Sequence, residues 1–269
     1  VLPLWLNLLK PSIQLAVADK GYGKQSWFGR TTANWSVKTD VSLNSQDRLT
    51  AAVEQLLDDR PIQKKALSRP ARLTIIVPDE VARFELLPWI PSLMQDDELR
   101  QFAIERFELH NQSVRDGWVV QAEWRTNEAN TLGYALPQEL LETLQNIAAK
   151  NGVQLTRVLP VSALAHYGQL GISRTSQLRL LNSGARISAL LYRHGKLHSH
   201  AIEAVRGNNN EDALRRLLSR VQTNVALTEL NLQQIAVMGI DPDIVRRILV
   251  DSPNIRIHKL RPLRFRDWL

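Results

Sequence analysis

The stretch from Leu178 to Arg206 constrains the fold more than any other. An apolar run, Leu178 to Leu181, meets the polar turn Asn182-Ser183-Gly184, and a second run extends from Ala185 to Tyr192. His194-Gly195 then turns the chain into a return run, Lys196 to Val205. Short apolar or alternating runs punctuated by Gly and Asn specify hairpins. Two consecutive hairpins feed the helix-patterned segment EDALRRLLSRVQT. A strand, Ile235 to Gly239, a helix from Asp241-Pro242 to Val250 and a last strand, Asn254 to Leu260, complete this half.

The first half repeats the alternation. Ile13 to Ala18 reads as a strand broken by Asp19-Lys20-Gly21-Tyr22-Gly23, and Gln25 to Phe28 and Thr32 to Val41 are candidate strands. Leu49, Val53, Leu56 and Leu57 make a helical stripe behind the capping residue Ser45. Arg72 to Pro78, RLTIIVP, is the strongest buried strand of this half. Met94 to about Asn111 is predicted to be a helix with Leu99, Phe102, Ala103 and Phe107 inward, its early acids suiting the N-terminal dipole. Gly117 to Trp124 and Thr131 to Leu136 pair as a hairpin, and Pro137 opens a helix stopped by Asn151-Gly152. Val153 to Val158 is a further strand, and Val161 to Leu170 a short helix. Strands interleaved with helices twice over, each set led by hairpins, predict an α/β protein of two related lobes.

A chain of 269 residues suits two lobes or one large α/β domain. No cysteine is present, which excludes disulfides and thiolate sites, and the six histidines lack metal-ligand spacing. His198 and His200 alternate onto one strand face and read as a solvated strand rather than a ligand pair. No run reaches the roughly 18 apolar residues of a membrane span. The opening VLPLWLNLL is a poor signal peptide, having neither basic leader nor cleavage site. The net charge of +7 is uneven: seven Lys or Arg against two Asp lie from Val245 onward, and five cations without an acid lie between Arg60 and Arg72. Such segments suit phosphate-bearing partners or plain solvated surface.

The order of elements resembles the actin-like fold as used by the cytoplasmic assembly proteins of type IV pili and type II secretion systems. ARLTIIVPDEVARFELLPWIPSLMQDDELRQFAIERF is similar to the strands and helix of the small extra subdomain in that group, and LPVSALAHYG resembles the helix bridging out of the first lobe. The resemblance implies an actin-like first lobe over residues 1–174, a small inserted subdomain over about 72–124, and a second actin-like lobe with a basic tail over 175–269. Actin-like ATPases carry an acid and a glycine-rich turn after the first strand of each lobe, where turn N–H groups hold phosphate. Asp19 and Gly21 would occupy the first such turn, letters a plain hairpin turn shares; Gly184 lies in the second, where Asn182 stands in place of an acid. The adenosine-side glycine pair is reduced to Gly239. The expectation is therefore no cofactor and no catalysis; should ATP bind, Asp19, Gly21, Gly184 and Gly239 are the positions to bind it.

The family precedent implies that a short cytoplasmic peptide of an inner-membrane pilus or secretion partner docks on the small subdomain, with Phe84, Leu86 and Trp89 as candidate contacts. Trp89 in its stiff Pro-flanked segment fits a core plug as well as a docking residue, and Trp118 and Trp124 read as core. Arg261, Arg264, Arg266 and Trp268 would face an anionic membrane at the inner face of the inner membrane. A scaffold of this kind is the leading reading. A working ATP-binding protein and a nucleic-acid binder follow, the last lacking aromatic interleaving or a helix-turn-helix signal. Oligomeric state and the identity of the system stay open.

Overall fold

The computed structural model describes residues 3–7, 12–18, 31–38, 50–51, 53–54, 71–93, 95–124, 128–167, 176–206, 209–224, 232–249 and 255–260. Two five-stranded sheets share one topology. In the first, β1 (Pro3–Asn7), β2 (Ser12–Ala18) and β3 (Thr31–Lys38) form an antiparallel meander. β4 (Ala71–Val77) then pairs parallel to β1, and β8 (Val153–Pro160) parallel to β4, in the order β3-β2-β1-β4-β8. In the second, β9 (Gln177–Asn182), β10 (Arg186–Arg193) and β11 (Lys196–Ala204) form the meander, and β12 (Gln234–Met238) and β13 (Arg256–Lys259) the parallel extension, in the order β11-β10-β9-β12-β13. Antiparallel neighbours can be joined by tight turns, whereas parallel ones need crossovers. The two-residue turn between β10 and β11 shows why: His194 (φ 49°) and Gly195 (φ 81°) both adopt the positive φ of a hairpin turn matched to strand twist.

Between β4 and β8 the chain builds a third sheet, order β5-β7-β6, from β5 (Arg83–Leu87), β6 (Trp118–Gln121) and β7 (Thr131–Pro137). Helix α1 (Asp96–Leu109) covers it, opened by a capping box in which Glu98 Oε2 accepts from the Gln95 N–H at 3.4 Å. Leu99, Ala103 and Phe107 of α1 bury themselves with Leu87, Val120 and Ala135, giving the insert its own small core. The insert therefore spans β5 to β7, later than the 72–124 expected from sequence. β4 belongs to the large sheet, where strands on both sides and burial of Leu73 to Val77 explain its unbroken apolar run. β7, central in the small sheet, lies beyond residue 124.

Helix α2 (Gln138–Lys150) returns to β8, and α3 (Val161–Tyr167) follows it directly. In the second lobe α4 (Asn210–Asn224) and α5 (Pro242–Ile248) cover the sheet through Ala213, Leu214, Leu217 and Val245. The main core crosses the lobe boundary: Leu73, Ile75 and Leu144 of the first lobe join Leu181, Leu190 and Tyr192 of the second. A buried polar bridge runs beside it, with His166 of α3 between Thr131 Oγ1 at 3.3 Å and the Tyr192 hydroxyl at 3.1 Å.

Candidate functional site

The chain leaves β4 through a single 3-10 turn, Asp79–Val81, which sets two acids just past the carboxyl end of that strand, whose residues Leu73 to Val77 are buried. Asp79 is fully buried and its carboxylate bridges the lobes. Oδ1 accepts from the Ser162 N–H of α3 at 2.9 Å, while Oδ2 lies 2.6 Å from Ser162 Oγ and 2.7 Å from Ser188 Oγ of β10. Burial raises the Asp79 pKa above the ordinary carboxylate range, and the serine hydrogen bonds and then Arg186 pull the other way. Glu80 reaches the β9–β10 turn, accepting from Ser183 Oγ at 3.0 Å and from the Ala185 N–H. Burial raises its pKa too. Arg186 returns the contact, donating to the backbone carbonyls of Asp79 at 3.0 Å and Ala82 at 3.4 Å.

Two of the four expected nucleotide positions fall in this junction. Gly184 (φ 117°) donates its N–H to Asn182 Oδ1 at 2.9 Å, and the Ser183 N–H closes the turn onto the Arg186 carbonyl at 3.0 Å. Gly239 (φ 69°) ends β12 against the same residue: a Cβ there would lie 2.8 Å from the Asn182 carbonyl oxygen. Asp19 and Gly21 lie outside the described residues. Asp79, Glu80, Ser162 and Ser188 are the junction residues that sequence reasoning missed. The available signal was Asp79-Glu80 directly after the apolar run of β4.

The expected docking residues divide. Phe84 is 8% exposed and Leu86 partly buried, and both pack into the main core. The alternation of β5 turns them away from the insert's own core, into which Leu87 points. Trp89 is half-buried and sits edge-on to Trp124, ring centres 4.7 Å apart, while Trp124 Nε1 donates to the Leu93 carbonyl at 2.8 Å. A groove of about 330 Å³ instead opens between insert and first lobe, lined by Gln121, Glu123, Leu136, Leu141, Arg157 and Tyr167 among others. Its contributors lie on β6 and the residues just after it, β7, α2, β8 and α3, too scattered in sequence to show as a motif. Burial raises the pKa of the Tyr134 and Tyr167 phenols at this groove, so both stay neutral at physiological pH. Arg261, Arg264, Arg266 and Trp268 lie outside the described residues. Among the described residues no group of three His, Asp or Glu is placed to hold a metal, and no helix is long and apolar enough to cross a membrane.

His200, read from sequence as lying on a solvated strand, meets the insert. Its ring stands edge-on to Phe84 at 5.1 Å, and among the described residues its Nε2 is shielded without a hydrogen-bond partner. Burial holds its pKa down at about 4. The unfolded chain, titrating near 6.5, then binds a proton that the folded one refuses, so this residue costs stability as pH falls from 6.5 towards 4. We expect wild type to lose up to about 3 kcal/mol relative to His200→Gln across that window. Parallel melting curves against pH for the two proteins would contradict this.

No protein-family model matches the chain, and no curated protein matches it. Solved structures do. A Bacteroides thetaiotaomicron protein of actin-like ATPase fold and unknown function is 13% identical and superposes with a TM-score of 0.61, over 97% of this chain and 91% of its own. The PilM–PilN type IV pilus biogenesis complex gives 12% identity and a TM-score of 0.65, over 97% and 89%. The cytoplasmic domain of EpsL, an inner-membrane component of the Vibrio cholerae type II secretion system, gives 10% and 0.48, over 99% and 88%. The first two similarities, with the doubled sheet topology, establish an α/β actin-like fold.

Proposed function

We propose that this chain is a scaffold in the inner-membrane assembly platform of a type IV pilus or type II secretion system, and that it holds a cytoplasmic segment of a membrane partner in the groove between insert and first lobe. One observation carries the docking reading: the groove is bordered by β6 and β8, each an edge strand of its sheet among the described residues. Edge strands offer unpaired backbone groups to an added extended segment, and side-chain pockets beside them select its residues. Leu136, Leu141 and Val158 provide an apolar floor, with Glu123 and Arg157 as charges of opposite sign at the wall. The likeness to the PilM–PilN complex supports a pilus-type partner.

Leu141 of α2 is partly buried and lines the groove, so Leu141→Arg places a cation on its floor while leaving the fully buried face of the helix intact. We expect this variant to bind a synthetic peptide of the cytoplasmic segment of an inner-membrane assembly protein encoded beside it at least about tenfold more weakly, and to melt lower but still cooperatively, since Leu141 also packs against the main core. Equal affinity for wild type and variant in calorimetry would reject the groove as the docking site. In this reading the basic tail, with Arg261, Arg264, Arg266 and Trp268, lies against anionic headgroups at the cytoplasmic face of the inner membrane, each cation contributing about 1 kcal/mol. This reading assigns no catalytic role to the second-lobe turn, where Asn182 stands in place of an acid.

A further inference from the structure

We propose that Glu80 is the resident anion of the β9–β10 turn: a carboxylate from the first lobe that fills the second lobe's anion-binding turn and holds the two lobes closed without an external ligand. The donors of the turn decide this. The Ser183 N–H is spent on the Arg186 carbonyl and the Gly184 N–H on Asn182 Oδ1. The two that point across the junction, Ala185 N–H and Ser183 Oγ–H, reach separate oxygens of Glu80, the hydroxyl lying nearer to Glu80 at 3.0 Å than to its other acceptor, the Arg186 carbonyl, at 3.3 Å. A backbone N–H and a hydroxyl converging on one carboxylate are the grip that a turn offers to a phosphate. The cation of the turn is committed in the same direction, since Arg186 donates to the carbonyls of Asp79 and Ala82.

Glu80 is tethered one residue beyond Asp79, whose carboxylate is itself bonded to Ser162 and Ser188. It therefore competes for the turn as an intramolecular ligand, at an effective concentration that a free anion must exceed. The junction is thus bridged by a carboxylate that the chain itself supplies. This inference does not depend on the docking groove and can fail separately from it.

The test is thermal unfolding of the full chain with and without inorganic tripolyphosphate at matched ionic strength. Wild type should be indifferent to tripolyphosphate. Glu80→Ala should melt several degrees lower and recover roughly half of that loss at millimolar tripolyphosphate, as binding to the folded state alone requires. The rescue should vanish in Glu80→Ala combined with Ser183→Ala, which separates the turn from nonspecific attraction to a basic protein. Wild type stabilised as much as Glu80→Ala, or a rescue that survives loss of Ser183, overturns the proposal. Should Glu80→Ala fail to fold, Glu80→Gln, Ser183→Ala and the double variant decide: non-additive shifts support the contact, and additive ones overturn it.

Discussion

Replacing Asp79 by Ala should destabilise the protein by about 2–4 kcal/mol, while Asp79→Asn should stay within about 1 kcal/mol of wild type. The alanine leaves the buried Ser162 N–H without its acceptor and strands the hydroxyls of Ser162 and Ser188 on opposite lobes. Each buried donor so orphaned costs about 1–3 kcal/mol, offset in part because a desolvated carboxyl is removed with it. Asparagine keeps an oxygen for the Ser162 N–H, and both hydroxyls can turn to accept from its amide. The pH dependence separates the two effects. Burial raises the folded pKa of Asp79, so its contribution is complete below the unfolded value of 3.8 and is lost as pH rises through the folded value. Any deficit of Asp79→Asn should therefore shrink, or reverse, as denaturation curves are repeated at rising pH. A deficit that widens with pH, or an alanine variant as stable as wild type, would exclude this account of the junction.

The junction marks where sequence reasoning stops. Both hairpins of the second lobe are legible because apolar runs flank polar turns and a glycine, so local chemistry alone specifies them. RLTIIVP announces a buried strand, but an apolar run reports burial and not which sheet does the burying, and the insert's boundary slips accordingly. Phe84, Leu86 and Trp89 form one phrase in the sequence, yet the pleat of β5 sends the first two into the main core and leaves Trp89 beyond the strand, against Trp124. Gly184 and Gly239 can be picked out as turn glycines, whereas their meeting at Asn182 depends on β9 pairing with β12. Asp79 is hidden for the same reason: its serines stand 83 and 109 residues further on, and nothing local ties them to an acid.

Gly239→Val should cost roughly 2–6 kcal/mol, more than a surface substitution. Two independent penalties combine. At φ 69° the backbone occupies the left-handed region, which a β-branched residue adopts only under strain of about 1–3 kcal/mol. The new Cβ would also stand 2.8 Å from the carbonyl oxygen of Asn182 and 3.3 Å from its Cβ. The nearer obstacle is backbone, so relief requires β9 and β12 to separate at Met238 and Leu181, the last pair of their parallel ladder. That overpacking adds about 1–3 kcal/mol. Moving Asn182 also moves the turn it begins, and with it the Ser183 and Ala185 donors that hold Glu80. Gly239→Val should thus raise hydrogen exchange at Ala185 as well as lower the denaturation midpoint. Gly152→Ala supplies the control, since that glycine has φ 66° with nothing within 4 Å of an added Cβ and should show the strain alone. If the two variants lose equal stability and Ala185 exchanges as in wild type, contact with Asn182 is not what keeps position 239 a glycine.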